Sequence, residues 1–197
     1  MKNINRFNSS ILQATVFTVI LFGASSCMDN KKPEDTKNVA EEHNNAKFGD
    51  NKQEKDAQFL VNAAEINLEE ISLGQLAQQN GTTTHAKELG KMMEDAHTKA
   101  LNDLTALAKK KMITIPTSPT DNAQNDYKKL NDKSGINFDK EYADMMVSGH
   151  KDAIAVFEKA STDCSDSDIK EWATAMLPNL RAHLDHAIDC QKKCEKM

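Results

Sequence analysis

The stretch DAQFLVNAAEINLEEISLGQLAQQ, residues 56–79, places apolar side chains at Phe59, Ala63, Ile66, Leu73 and Ala77. Steps of that size return to one face of a helix, whose period is 3.6 residues. Glu70 fills the step that the series leaves open. A polar group on a buried stripe costs ~2–7 kcal/mol when nothing compensates it, and more if it is charged, so Glu70 must meet a partner in the core.

Three further segments repeat the pattern. After the helix stop Asn80-Gly81 and the N-cap candidates Thr82, Thr83 and Thr84, a second helix to about Lys110 carries Leu89, Met93, Ala96, Ala100, Leu104 and Leu107, with His97 on the same face. MITIPTSP (112–119) holds two prolines and β-branched residues and reads as an extended crossover, followed by a short helix over Asn122 to Asn131. A third long helix opens near Asn137 with Phe138, Tyr142, Met146, Ala153, Phe157 and Ala160, and His150 lies in its stripe. Thr162 to Ser167 reads as a turn in which Ser165 and Asp168 resemble a capping box. The last helix shows Ile169, Ala173, Met176, Leu180, Leu184 and Ala187, with His183 on the seam and Pro178 predicting a kink one turn earlier. Four long helices, short connections within each pair and no alternating strand pattern predict an all-α, antiparallel four-helix bundle with a short extra helix in the crossover between helices 2 and 3.

The N-terminal end has a different character. Lys2 and Arg6 precede the apolar run ILQATVFTVILFG (11–23), and the small residues Ala24, Ser25 and Ser26 precede Cys27. This is the layout of a secretory signal ending in a lipobox, with Cys27 as the lipidated mature N-terminus. Residues 28–53 are polar and poor in large apolar side chains, the composition of a disordered tether, so the bundle domain is expected over 54–197. Lipid on Cys27 would be the membrane partner, and the expected location is the cell envelope, at the periplasmic or surface face of the outer membrane. The net charge is −5, and the basic residues are scattered apart from Lys109-Lys110-Lys111 at a helix C-terminus, which is no nucleic-acid footprint.

The chemistry available to the core is that of Glu70, His97, His150 and His183, one from each long helix. In helical bundles inward-facing side chains of this kind hold metals, and Glu94-Asp95-Ala96-His97 has the Glu-x-x-His spacing that puts two ligands on one face. His183-Leu184-Asp185-His186 lacks that spacing and His150 has no Glu three residues before it, which argues against a carboxylate-bridged di-iron centre. One carboxylate with two or three imidazoles suits zinc, copper or a single iron. At ~1.5 Å per residue, Glu70, His97 and His150 lie at similar heights above the turns, whereas His183 is expected roughly 6–10 Å further along. The alternative is a buried hydrogen-bond network in which each histidine donates to a carboxylate. A secondary candidate is His186, Cys190 and Cys194, spaced i, i+4, i+8 on the last helix. The paired methionines Met92-Met93 and Met145-Met146 read as core filler.

Several segments carry a family likeness. They are Glu70-Ile71-Ser72-Leu73-Gly74 with Leu76-Ala77, Met93-Glu94-Asp95-Ala96-His97-Thr98-Lys99-Ala100, Phe138-Asp139 and Tyr142 leading to His150-Lys151-Asp152-Ala153 and Phe157-Glu158, and Leu177-Pro178 before His183-Leu184. Over about residues 56–192 the chain resembles the ferritin-like bacterial domain-of-unknown-function family 4142, whose members are often labelled outer membrane proteins. The resemblance implies a secreted ferritin-like bundle with recurring polar positions at Glu70, His97, His150 and His183, and no established activity. It does not cover Cys190 and Cys194. Three functions stay open: a lipoprotein binding a divalent metal, a ferritin-type oxidase or peroxidase, and a non-catalytic scaffold for an envelope partner.

Overall fold

The apolar period of residues 56–79 winds into a helix longer than the period itself. In the computed structural model, which describes residues 34–197, the elements are α1 (Thr36–Lys47), α2 (Asn51–Asn80), α3 (Thr84–Lys111), α4 (Asp121–Asn131), α5 (Ile136–Asp163) and α6 (Ser167–Glu195). The described residues are all-helical, with no strand, and form one compact unit. The signal segment, Cys27 and the first residues of the expected tether lie outside the described residues. No helix among the described residues is long and apolar enough to cross a membrane.

Short turns fold α2 on α3 and α5 on α6, and α2 packs on α5 while α3 packs on α6. Thr83 caps α3 by accepting from the Ala86 amide. The cap of α6 is Asp166, which accepts from the Asp168 and Ile169 amides, in place of the expected Ser165 box. An ionised carboxylate one residue nearer the helix takes two of its free amides at once and adds favourable charge at the N-terminus. Helix α6 continues through Pro178 as a single element.

A buried aspartate near the start of each hairpin clamps the turn of the other. Asp139, fully buried on α5, accepts from the amides of Thr82 and Thr83 at 2.8 and 2.7 Å. Asp56 on α2 accepts from those of Ser165 and Asp166 at 2.9 and 2.8 Å. The two clamps sit equally far ahead of the turns Gly81 and Cys164 in sequence, so the two hairpins are built alike at these points. Within the first hairpin, Gly74 and Gly90 bring backbones together: a Cβ on Gly74 would stand 2.6 Å from the Gly90 carbonyl oxygen, and one on Gly90 would stand 2.7 Å from that of Gly74.

The expected tether is helical over Thr36–Lys47, and α2 begins at Asn51, so the folded unit starts earlier than residue 54. Polar bonds rather than an apolar stripe hold α1 down. The Asn44 carboxamide donates to the Thr114 carbonyl and accepts from the Thr114 amide, both at 2.8 Å, which seats α1 on the crossover. Asp35 caps α1 through the Lys37 amide and also accepts from the Asp121 amide at the start of α4.

Two apolar clusters divide the interior. One gathers Leu73, Leu89, Met93, Phe138, Tyr142, Met146 and Ala187, and the other Phe59, Ala63, Leu104, Ala153, Phe157, Ile169 and Leu180. Each long helix passes from one cluster to the other, and the crossing points are Asn67 to Glu70 in α2, His97 in α3, His150 in α5 and His183 in α6. The polar residues form a layer between two dry halves.

Candidate metal centre

His97, His150 and His183 meet in that layer. Their ring centroids are 5.5, 5.4 and 5.4 Å apart pairwise, and one nitrogen from each lies within 4.8 Å of the other two. His97 and His150 are buried, at 3% and 0% exposure, and His183 is partly so. His183 is thus not displaced along the bundle as its residue count predicts. Side chains on a helix lean toward its N-terminus. His150 therefore leans away from the α5–α6 turn and His183 toward it, which closes the gap in height between them.

Hydrogen bonds fix two tautomers. Asn67 donates its Nδ2 to the Ala63 carbonyl at 2.7 Å, which leaves its Oδ1 to accept from His97 Nδ1 at 3.0 Å. His150 Nδ1 lies 2.9 Å from the Met146 carbonyl, which can only accept. Both rings therefore carry their proton on Nδ1 and present a bare lone pair on Nε2. Those two Nε2 atoms, His183 Nδ1 and Glu70 Oε2 are buried without a hydrogen-bond partner. Each such group costs ~1–3 kcal/mol if left so.

Electrostatics keep the layer uncharged. Burial, reinforced by the neighbouring His150 and His183, holds His97 well below the usual imidazole range. Burial and then His183 take His150 down to about 4, and burial and then His186 lower His183. Glu70, 5% exposed, is raised well above the carboxylate range by burial and secondarily by Glu69. Glu70 Oε1 stands 3.5 Å from His150 Nδ1, but each side favours its neutral form, so this contact is not an ion pair. The proton on His150 goes to Met146, so the expected network of histidines donating to carboxylates is not the one formed.

The structure separates the remaining sequence candidates from this cluster. Glu94 turns toward α2, where its two oxygens accept from the side-chain amides of Gln75 at 2.8 Å and Gln78 at 2.7 Å, and these bonds lower its pKa. The Glu-x-x-His spacing puts Glu94 on the α2–α3 seam rather than inside. His186 is exposed, whereas Cys190 and Cys194 are buried with their sulfurs 4.0 Å apart. The i, i+8 drift around a helix turns His186 out as the thiols turn in, and burial pushes the Cys190 thiol up to about 12. Among the described residues, the three-histidine cluster is the group of donors that converges.

The sequence pattern overlooked two participants. Asn67 sits one turn before Glu70 on the same stripe and, like Glu70, needs a partner once buried there. Trp172, whose Nε1 is buried without a partner, lines a cavity of about 220 Å³ that runs from exposed Lys99 and Asn179 inward to His97 and His183. Only the meeting of α2, α3 and α6 with α5 reveals it.

No curated protein and no solved structure matches the chain. The sequence pattern described as Domain of unknown function (DUF4142) matches residues 41–189, which takes in α2, α3 and α5 and all of α6 but its last six residues. With Glu70, His97, His150 and His183 inside that span, the chain belongs to the DUF4142 family.

Proposed function

We propose that this protein is a lipid-anchored envelope lipoprotein whose long helices form an antiparallel, ferritin-like four-helix bundle around one divalent metal ion. The ion would be held by His97 Nε2, His150 Nε2 and His183 Nδ1, which would leave one tetrahedral position open, while Glu70 stands beside His150 at its Nδ1 edge, outside the group of converging donors. The observation that carries this reading is the convergence of three imidazoles, one ring nitrogen of each within 4.8 Å of the other two, each ring also having one buried nitrogen without a hydrogen-bond partner. Tetrahedral coordination at ~2.0–2.1 Å sets nitrogens about 3.4 Å apart, so the rings close by roughly an ångström on the ion. Neutral imidazoles are the form that binds, and Asn67 and the Met146 carbonyl supply the outer contacts that orient metal-ligating histidines. Three nitrogens suit zinc or copper, and the single buried carboxylate nearby, Glu70, is too few for a bridged di-iron pair.

A second reading, a metal-dependent oxidase or peroxidase, draws on the cavity that reaches His97 and His183. Metal analysis of full-length protein purified without a histidine tag separates the readings. About one zinc or copper per chain supports binding, and redox-active iron supports the enzyme. Protein that neither carries nor takes up metal would leave the cluster as a polar layer and the chain as an envelope scaffold.

A further inference from the structure

We infer that the cavity beside His97 and His183 takes a small monocarboxylate with an apolar body, whose carboxylate fills the coordination position that the protein leaves open on the metal. This rests on the metal reading above and adds a ligand class to it. Three protein nitrogens leave a metal centre short of its full set, and an open side facing a cavity is the arrangement of sites that accept exogenous ligands. The cavity supplies such a side, because His97 and His183 form part of its wall.

The lining decides the chemistry of the occupant. Ile66, Phe157, Trp172, Met176 and Leu180 make most of the wall apolar. No aspartate or glutamate lines the cavity, so no negative charge there would pair with a cationic ligand. The polar groups that do are suited to an anion: Lys99 and the Asn179 carboxamide at the exposed end, the Trp172 Nε1–H without a partner, and the imidazoles at the inner end. Asn67, also in the wall, is already committed to His97 and the Ala63 carbonyl. The volume of about 220 Å³ lies below the range of ~300–1,000 Å³ that holds drug-sized ligands, which limits the occupant to roughly ten heavy atoms. An aromatic or short-chain acid fits that size, with its apolar body against the wall and its charge at the metal.

Full-length protein loaded with cobalt(II) tests the inference through its visible absorption, which reports the coordination of the ion without any assay of activity. Benzoate and hexanoate are expected to shift the cobalt bands saturably and at least tenfold more tightly than acetate, whereas benzylamine leaves them unmoved. Ala100 lines the cavity and is not a ligand, so Ala100→Phe should keep the cobalt spectrum and weaken benzoate at least tenfold. Lys99→Ala, at an exposed position that spares the fold, should weaken it a few-fold. Cobalt bands that no acid moves, or that acetate and benzoate move equally, or that benzoate moves equally in Ala100→Phe, would overturn the inference and leave the metal site standing. No cobalt spectrum at all would overturn the metal reading and this inference with it.

Discussion

His150 and Glu70 impose opposite pH dependences on the metal-free fold. Folded His150 titrates at about 4, against 6.5 for a free imidazole. Between those values the unfolded chain binds a proton that the folded chain refuses, so stability falls as pH drops through that window, and His97 and His183 act in the same direction. Glu70 is raised above 4.5, so the folded chain keeps a proton that the unfolded chain releases, and stability falls as pH rises above 4.5 toward the folded value. Glu70→Gln should therefore stabilise the metal-free protein at neutral pH, by an amount that grows as pH rises above 4.5, and should leave the acid limb in place. Urea midpoints from pH 4 to 9 check this; an effect of Glu70→Gln that is constant across pH would mean that Glu70 ionises freely. At this scale the sequence was highly legible. A polar residue interrupting an apolar stripe marks the core layer directly, which is why His97, His150 and His183 converge there and Glu70 abuts His150. Residue spacing along one helix was a poorer guide, because Glu94 answers to Gln75 and Gln78 across the seam, contacts that no single-helix pattern contains.

The hairpins depend on contacts between elements that propensity does not describe. Asp139 accepts two backbone amides of the opposite turn while fully buried. Hydrogen bonds to a charged group contribute ~1.5–3 kcal/mol each, so Asp139→Ala should cost about 3–5 kcal/mol, with Asp139→Asn retaining part of that. Chemical denaturation gives the answer, and a loss under about 1 kcal/mol would mean that water replaces the clamp without penalty. Gly90 gives a test with a sign. Alanine is ~1 kcal/mol better than glycine inside a helix, yet a Cβ at Gly90 would lie 2.7 Å from the Gly74 carbonyl oxygen and 2.9 Å from Ala77 Cβ. Gly90→Ala should destabilise by ~1–3 kcal/mol as the two helices part; a rise in melting temperature would show that α2 and α3 separate freely. Helix α1 marks where sequence reading stops. Its residues carry almost no apolar period, and its place is set by Asn44 and Asp35 bonding to the crossover and to α4, partners far away in sequence.

At the scale of the whole molecule, anchoring and metal binding make separate demands. If Cys27 carries the lipid, Cys27→Ser should move the protein from the detergent phase to the aqueous phase, since no described helix can span a membrane. A variant that still partitions with detergent would remove the lipid anchor from the proposal. The metal acts on the folded unit instead. His97 belongs to one hairpin and His150 and His183 to the other, so an ion bound by all three ties the hairpins together at the layer between the two apolar clusters. An ion that binds only the folded chain stabilises it by mass action, ~2.7 kcal/mol when free metal is a hundredfold above its dissociation constant. For a unit of this size each kcal/mol raises the melting temperature by ~2–4 °C. Zinc or copper added to chelator-treated protein should therefore raise the melting temperature by roughly 5–11 °C. The gain should persist well below the usual imidazole range and shrink as pH approaches about 4, where His150 in the folded chain takes up a proton and stops binding the ion. His97→Ala and His183→Ala should each abolish it, although His183 is the less buried of the two. Because the tie joins both hairpins, amide exchange should slow in α3 and α6 together. Protection confined to one hairpin, or a gain that survives both substitutions, would place the ion elsewhere and leave the three histidines as a polar layer that sets how the hairpins register.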